Sequence, residues 1–126
     1  MRLLLIDDDP EIRHVATIAL ETMGGHEVEC AATAEEGVER ASARAPDGVL
    51  LDVVLPDADG VELLDRLRGI EGMEEVPIVF LTGKASTETA RLERADARGA
   101  ITKPFDPLAL ADEVDRLLGS STGSPR

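Results

Sequence analysis

Apolar and polar positions alternate along this chain in a repeating order. Arg2-Leu3-Leu4-Leu5-Ile6 is an apolar run broken by Asp7-Asp8-Asp9. It predicts a strand buried on both faces. After Pro10, apolar residues recur at helical spacing (Ile12, Val15, Ala16, Ala19, Leu20, Met23) until Gly24-Gly25 ends the pattern. Asp9 is placed to cap that helix, with Pro10 in its first turn. His26 to Ala31 alternates polar and apolar residues, which predicts a half-exposed strand. Thr33-Ala34-Glu35-Glu36 is a capping-box pattern opening a second helix, with Ala34, Val38 and Ala41 on its inner stripe.

The turn Pro46-Asp47-Gly48 leads to a third strand, Val49-Leu50-Leu51, ending on Asp52. Asp59 caps a third helix whose Val61, Leu64 and Leu67 face inward. Pro77 to Leu81 predicts a fourth strand ending at Thr82, and Ser86 to Asp96 a helix in which Leu92 is the only large apolar residue. Ala100-Ile101-Thr102 reads as a short fifth strand before Lys103-Pro104-Phe105. Asp106 then caps a last helix, with Leu110, Ala111, Val114, Leu117 and Leu118 facing in. Strands alternating with helices imply an α/β fold with a parallel sheet and right-handed crossovers. The arrangement expected is flavodoxin-like: five strands in the order 2-1-3-4-5, with helices on both faces.

Composition narrows this picture. The chain has 126 residues, enough for one domain with a core that needs no disulfides. Residues 1–118 are expected to form that domain and 119–126 a flexible polar tail. Phe80 and Phe105 are the only aromatic residues, so the core must be aliphatic. A single cysteine, Cys30, and no signal-peptide pattern point to the cytoplasm. No apolar run approaches the length of a membrane span. The formal charge of −13 should repel nucleic acid and anionic membrane while attracting divalent cations and basic protein surfaces.

The candidate chemistry lies where strands end. In a parallel sheet the carboxyl ends share one edge, so Asp7, Asp8, Asp52, Thr82 and Lys103 should converge. Three clustered carboxylates need a counter-charge. A hard divalent cation with oxygen ligands, Mg²⁺, suits the set better than Zn²⁺, for which His and Cys ligands are missing. Such a cation would also screen the repulsion between Asp52 and a phosphoryl group, allowing the carboxylate to act as a nucleophile. Lys103 could contact the phosphoryl as a point charge. The Thr82 hydroxyl and the Gly83 N–H could donate to it, and Gly83 carries no side chain to obstruct.

Those residues sit in motifs that resemble the receiver domain of two-component response regulators, of the single-domain, chemotaxis-regulator-like kind. The motifs are Leu5-Ile6-Asp7-Asp8-Asp9-Pro10, Leu51-Asp52 followed by Pro56 and Asp59-Gly60, Phe80-Leu81-Thr82-Gly83, and Thr102-Lys103-Pro104-Phe105. The separations between Asp8, Asp52 and Thr82 are those usual in that family. The resemblance implies that Asp52 is the phosphoacceptor, that Asp8, Asp52 and the Val54 carbonyl bind Mg²⁺ directly, and that Asp7 acts largely through water. It implies that Thr82 and Lys103 sense the phosphoryl group and that the Lys103–Pro104 bond is cis. It also implies a phosphorylation-dependent signalling switch rather than an enzyme. Phosphoryl would come from a histidine kinase or histidine phosphotransfer protein, and the output would be a protein contact or a phosphorelay. The sequence departs from the family where an aromatic side chain often swings inward, because that position is Ala100. A backbone and helix shift over residues 82–103 is expected instead. Val54 offers no polar group to orient an attacking water, which implies slow hydrolysis.

Two other readings compete. A haloacid-dehalogenase-type phosphatase would use Asp7-Asp8-Asp9 as its Asp-x-Asp, but Glu11 replaces the expected Thr or Val and there is no room for a cap. A pseudo-receiver acting only as a binding module is opposed by the intact acidic set and Lys103. Asp57-Ala58-Asp59-Gly60 fails as a calcium loop, since its first and last ligand positions are Leu55 and Arg66. Gly83-Lys84 fails as a phosphate-binding loop, since the upstream glycine is replaced by Ile78. Asp9 is read as a cap only, His14 and His26 as exposed or structural, and Cys30 as half-buried.

Overall fold

Strands that are apolar at every position have to be covered on both faces, and this dictates the architecture. The computed structural model of the protein describes residues 1–83 and 97–118. Five strands, β1 (Arg2–Ile6), β2 (Glu27–Ala31), β3 (Gly48–Asp52), β4 (Ile78–Thr82) and β5 (Gly99–Thr102), form one sheet in the order β2-β1-β3-β4-β5. All four pairings are parallel. The helices among the described residues are α1 (Pro10–Gly24), α2 (Ala34–Ala43), α3 (Gly60–Arg68) and a last helix, Pro107–Leu118. The helix expected over 86–96, Lys84 and the tail 119–126 lie outside the described residues.

Successive strand residues point to opposite faces, and the core divides accordingly. Leu4, Ile6, Val49, Leu51, Ile78 and Phe80 pack under α2 and α3 with Ala34, Leu63, Leu64 and Leu67. Leu3, Leu5, Leu50, Val79, Leu81 and Ile101 pack under α1 and the last helix with Ala16, Leu20, Leu110 and Val114. The expected inner stripes need two corrections: Met23 is half exposed, and Leu63 is fully buried. Val38 packs against the core while partly buried, with Gly37 more deeply placed on α2. At Gly37 an added Cβ would come within 2.6 Å of Ile6, so α2 lies too close to the sheet there for a side chain. β2 starts one residue later than expected: the His26 N–H donates to the Leu20 carbonyl of α1 at 3.1 Å, and pairing with β1 begins at Glu27 opposite Arg2.

The helix ends follow local chemistry. The side chains of Asp9, Thr33 and Asp59 accept from Glu11, Glu36 and Val61 N–H. Asp106 accepts from Leu108 N–H at 2.9 Å. Gly25 closes α1 with φ of 69°, a conformation that favours glycine.

Candidate functional site

The carboxyl ends of β1, β3, β4 and β5 bring the strand-end residues to one edge of the sheet. Asp7 directly follows β1, Asp52 and Thr82 close β3 and β4, and Lys103 directly follows β5. Neighbouring strands fix two of them: Asp7 N–H donates to Ala31 O of β2 at 3.0 Å, and Lys103 N–H to Thr82 O of β4 at 2.7 Å. Asp7 is wholly buried, Asp52 and Thr82 nearly so, and Asp8 is exposed. Oxygens of Asp7, Asp8 and Asp52 all lie within 4.8 Å of one another, a spacing that could hold a metal ion.

Lys103 is the counter-charge within reach. Its Nζ stands 2.8 Å from Asp7 Oδ2 and 3.3 Å from Asp52 Oδ2. The contact with Asp52 is a hydrogen bond. The one with Asp7 has the distance of an ion pair but not the angle of a hydrogen bond, so this buried oxygen accepts none. The other Asp7 oxygen, Oδ1, accepts from Asp9 N–H at 2.9 Å. Asp52 Oδ1 accepts from Val54 N–H at 3.1 Å.

Burial is the main reason that the Asp52 carboxyl titrates above its ordinary value. The Val54 N–H opposes this, the Asp7 charge adds to it, and Lys103 opposes it. Burial alone would pull Lys103 down. The close Asp7 carboxylate, with the hydrogen bond and charge of Asp52, outweighs it and holds the ammonium above the ordinary lysine range. Among the described residues, three carboxylates stand beside one ammonium, an excess of two negative charges. A buried oxygen without a hydrogen bond, an exposed third carboxylate open to water and an all-oxygen donor set fit a hard divalent cation.

The remaining expected residues are placed as follows. Val54 is strongly exposed at the mouth of the site and pairs with Asp59 in an isolated antiparallel bridge. The Lys103–Pro104 peptide is cis. Ala100 is exposed on β5 opposite Phe80, so no ring occupies that position. Gly83 is exposed, and a Cβ added there meets nothing within 4 Å, so packing within the described residues does not require glycine. Glycine is required at Gly60, where a Cβ would lie 2.5 Å from the Asp52 carbonyl oxygen.

Two neighbours were not foreseen from the sequence. Arg13 Nη1 donates to the Asp7 carbonyl at 2.8 Å, tying α1 to the acidic turn. Asp57 accepts the first two N–H groups of α2. Its place in a Pro-Asp turn is a sequence signal for a loop but not for a partner far away in the chain.

Comparison with known proteins gives a consistent result. Residues 3–115 match the family model described as the response regulator receiver domain. Chemotaxis protein CheY1 of Helicobacter pylori is 31% identical over 125 residues, covering 96% of this chain and 99% of that protein. Response regulator Rre1 of Synechocystis is 32% identical over 123 residues, covering 97% of this chain and 53% of that protein. The chain spans about half the length of the first curated relatives it matches. Among solved structures, the chemotaxis response regulator CheY4 of Vibrio cholerae superposes with a TM-score of 0.85 at 30% identity, covering 93% of this chain and 98% of that one.

Proposed function

The chain belongs to the response regulator receiver domain family, and we propose that it works by accepting a phosphoryl group on Asp52 from a phosphohistidine of a partner protein. The observation that carries this reading is that one ammonium, Lys103, is shared by two buried carboxylates beside a third that is exposed. That charge balance leaves room for a divalent cation, which we take to be Mg²⁺, held by Asp7, Asp8, Asp52 and the Val54 carbonyl. When bound, the cation supplies positive charge that screens the approach of phosphate oxygens to the carboxylates.

An Asp52 oxygen attacks phosphorus in line with the leaving imidazole nitrogen. The P–N bond breaks, its electron pair stays with the imidazole, and an acyl phosphate remains on Asp52. The Val54 N–H on Oδ1 fixes the carboxylate plane during this step. Lys103, already 3.3 Å from Asp52, binds the new negative charge. Thr82 and Gly83 close on the phosphoryl oxygens. Differential contacts of this kind are what bias a two-state switch. Among the described residues, the parts that respond are Thr82, Gly83, β5 and the last helix.

Asp7 as a phosphatase nucleophile is the weaker reading. It is fully buried, and its two oxygens are engaged by Asp9 N–H and Lys103. A protein partner suits the surface. Ile18, Met23 and Leu108, three of the four large apolar side chains exposed among the described residues, line one apolar cavity of about 290 Å³. Its walls are α1 and the start of the last helix, which follow Asp7–Asp9 and Lys103–Asp106 in the chain.

Incubation with Mg²⁺ and acetyl phosphate, followed by intact mass, tests the reading. A phosphoryl adduct is expected on the wild type and not on Asp52→Asn. An adduct that persists in Asp52→Asn, or none on either when the phosphohistidine form of a donor is also supplied, overturns it.

A further inference from the structure

The loop that leaves Asp52 is tied at its two ends by its own backbone. Val54 bridges to Asp59, and Gly60 N–H donates to the Val53 carbonyl at 2.7 Å. Leu55 N–H donates to Ala58 O at 3.2 Å across its middle, which is also held by another element. Asp57 is exposed, yet both of its carboxylate oxygens are engaged: Oδ1 accepts from Ala34 N–H at 2.8 Å and Oδ2 from Glu35 N–H at 3.1 Å. These are the first two residues of α2, 10 residues long.

The first N–H groups of a helix have no partner within it. α2 supplies its own cap only for the later ones: Thr33 Oγ1 takes Glu36 N–H, and the Thr33 carbonyl takes Gly37 N–H. The two left over are taken by Asp57. A carboxylate at this end of a helix is favoured by the aligned peptide dipoles as well as by the bonds themselves. In keeping with that, Asp57 titrates below the ordinary aspartate value, first through the Ala34 bond. The anchor is rigid, because Ala34 is fully buried and Gly37 lies against Ile6 of β1.

We propose that Asp57 is a positioning residue for the acceptor site, clamping the loop on α2 so that Val54 keeps its N–H on Asp52 and its carbonyl toward the cation. The proposal rests on the acceptor reading of Asp52. It assigns a part in the chemistry to an exposed aspartate that touches neither phosphoryl nor metal. Loss of the clamp leaves the loop's own backbone bonds but releases its tip from α2, and small displacements at a reacting centre are costly in rate.

The experiment compares Asp57→Ala, Asp57→Asn and Thr33→Ala in the full chain. Thr33→Ala removes a cap from the same helix without touching the loop. One readout is the exchange rate of the Val54 and Leu55 amide protons by NMR, with no phosphoryl donor present. The other is the rate of adduct formation from acetyl phosphate and Mg²⁺. Asp57→Ala should speed the exchange and slow adduct formation, each on the order of tenfold. Asp57→Asn, which keeps one acceptor oxygen but sets an NH2 donor against the other N–H, should recover only part of both. Thr33→Ala should change neither by more than about twofold, since its effect stays within α2. Wild-type exchange in Asp57→Ala, or an equal response in Thr33→Ala, overturns the proposal. A wild-type chain that takes no phosphoryl group counts against the acceptor reading instead, and amide exchange still decides whether Asp57 holds the loop.

Discussion

Asp52 is held where its charge is disfavoured. Burial first, then the nearby Asp7 charge, raise its pKa above 3.8, while the Val54 N–H and Lys103 offset only part of this. The ionised carboxylate therefore lowers the stability of the folded chain. The cost is full above the folded pKa, fades as pH falls from there through 3.8, and is gone below that, where folded and unfolded forms are both protonated. Asp52→Asn should accordingly be more stable than the wild type at pH 7, with the difference shrinking toward pH 4; urea melts across that range check it. An Asp52→Asn chain less stable than wild type at pH 7 would mean that the Lys103 contact outweighs burial. Gly60 sets a second limit on the site. A Cβ there would lie 2.5 Å from the Asp52 oxygen and 2.7 Å from Val53 Cα, and both are backbone that side-chain rotation cannot move. Gly60→Ala should cost about 1–3 kcal/mol in denaturant unfolding, and it should slow phosphoryl transfer because the displaced strand end carries the nucleophile.

Elements are joined by polar contacts as well as by the core. Glu29 on β2 bridges Arg2 of β1 at 2.9 Å and Arg40 of α2 at 2.8 Å. Burial pushes its carboxyl up, but the hydrogen bonds from Arg40 and Arg2 outweigh it and hold it below 4.5. A depressed carboxylate contributes stability that is present above 4.5 and lost as pH falls through the folded pKa. The side chain is 34% exposed, so water and salt screen the interaction. Glu29→Gln should cost under about 1 kcal/mol at pH 7, less at high salt, and nothing once the pH is well below 4.5. Unfolding at two pH values and two salt concentrations tests this; a loss that survives acid would point to packing rather than charge.

At the scale of the whole molecule, excess negative charge and the acidic edge act together. A chain of formal charge −13 repels itself, and any salt relieves part of that. Mg²⁺ should do more, because it binds the folded state at one place. At a hundredfold excess over its dissociation constant a ligand stabilises the folded form by about 2.7 kcal/mol. The wild type should melt higher in MgCl₂ than in NaCl of equal ionic strength, while Asp8→Asn and Asp52→Asn should lose most of the difference. An equal MgCl₂ response in all three chains would assign the effect to surface charge.

The fully apolar strands could mean only a sheet covered on both faces, and the regular alternation with helices made that sheet parallel. Those two facts put Asp7, Asp52, Thr82 and Lys103 on one edge, because parallel strands all finish on the same side. Capping residues were equally legible: Asp9, Thr33, Asp59 and Asp106 bond within three residues of themselves. Contacts between distant segments were not legible, because no spacing rule links them. Lys103 meets Asp7 more closely than Asp52, Arg13 reaches the Asp7 carbonyl, and Asp57 takes the first N–H groups of α2. Met23 matched the helical period of α1 but faces an apolar cavity at the surface, since periodicity gives a face and not what covers it. Local chemistry in the sequence thus set which residues stand at the edge. Tertiary packing decided which of them share a charge, because Coulomb and hydrogen-bond energies depend on distances that only the folded chain defines.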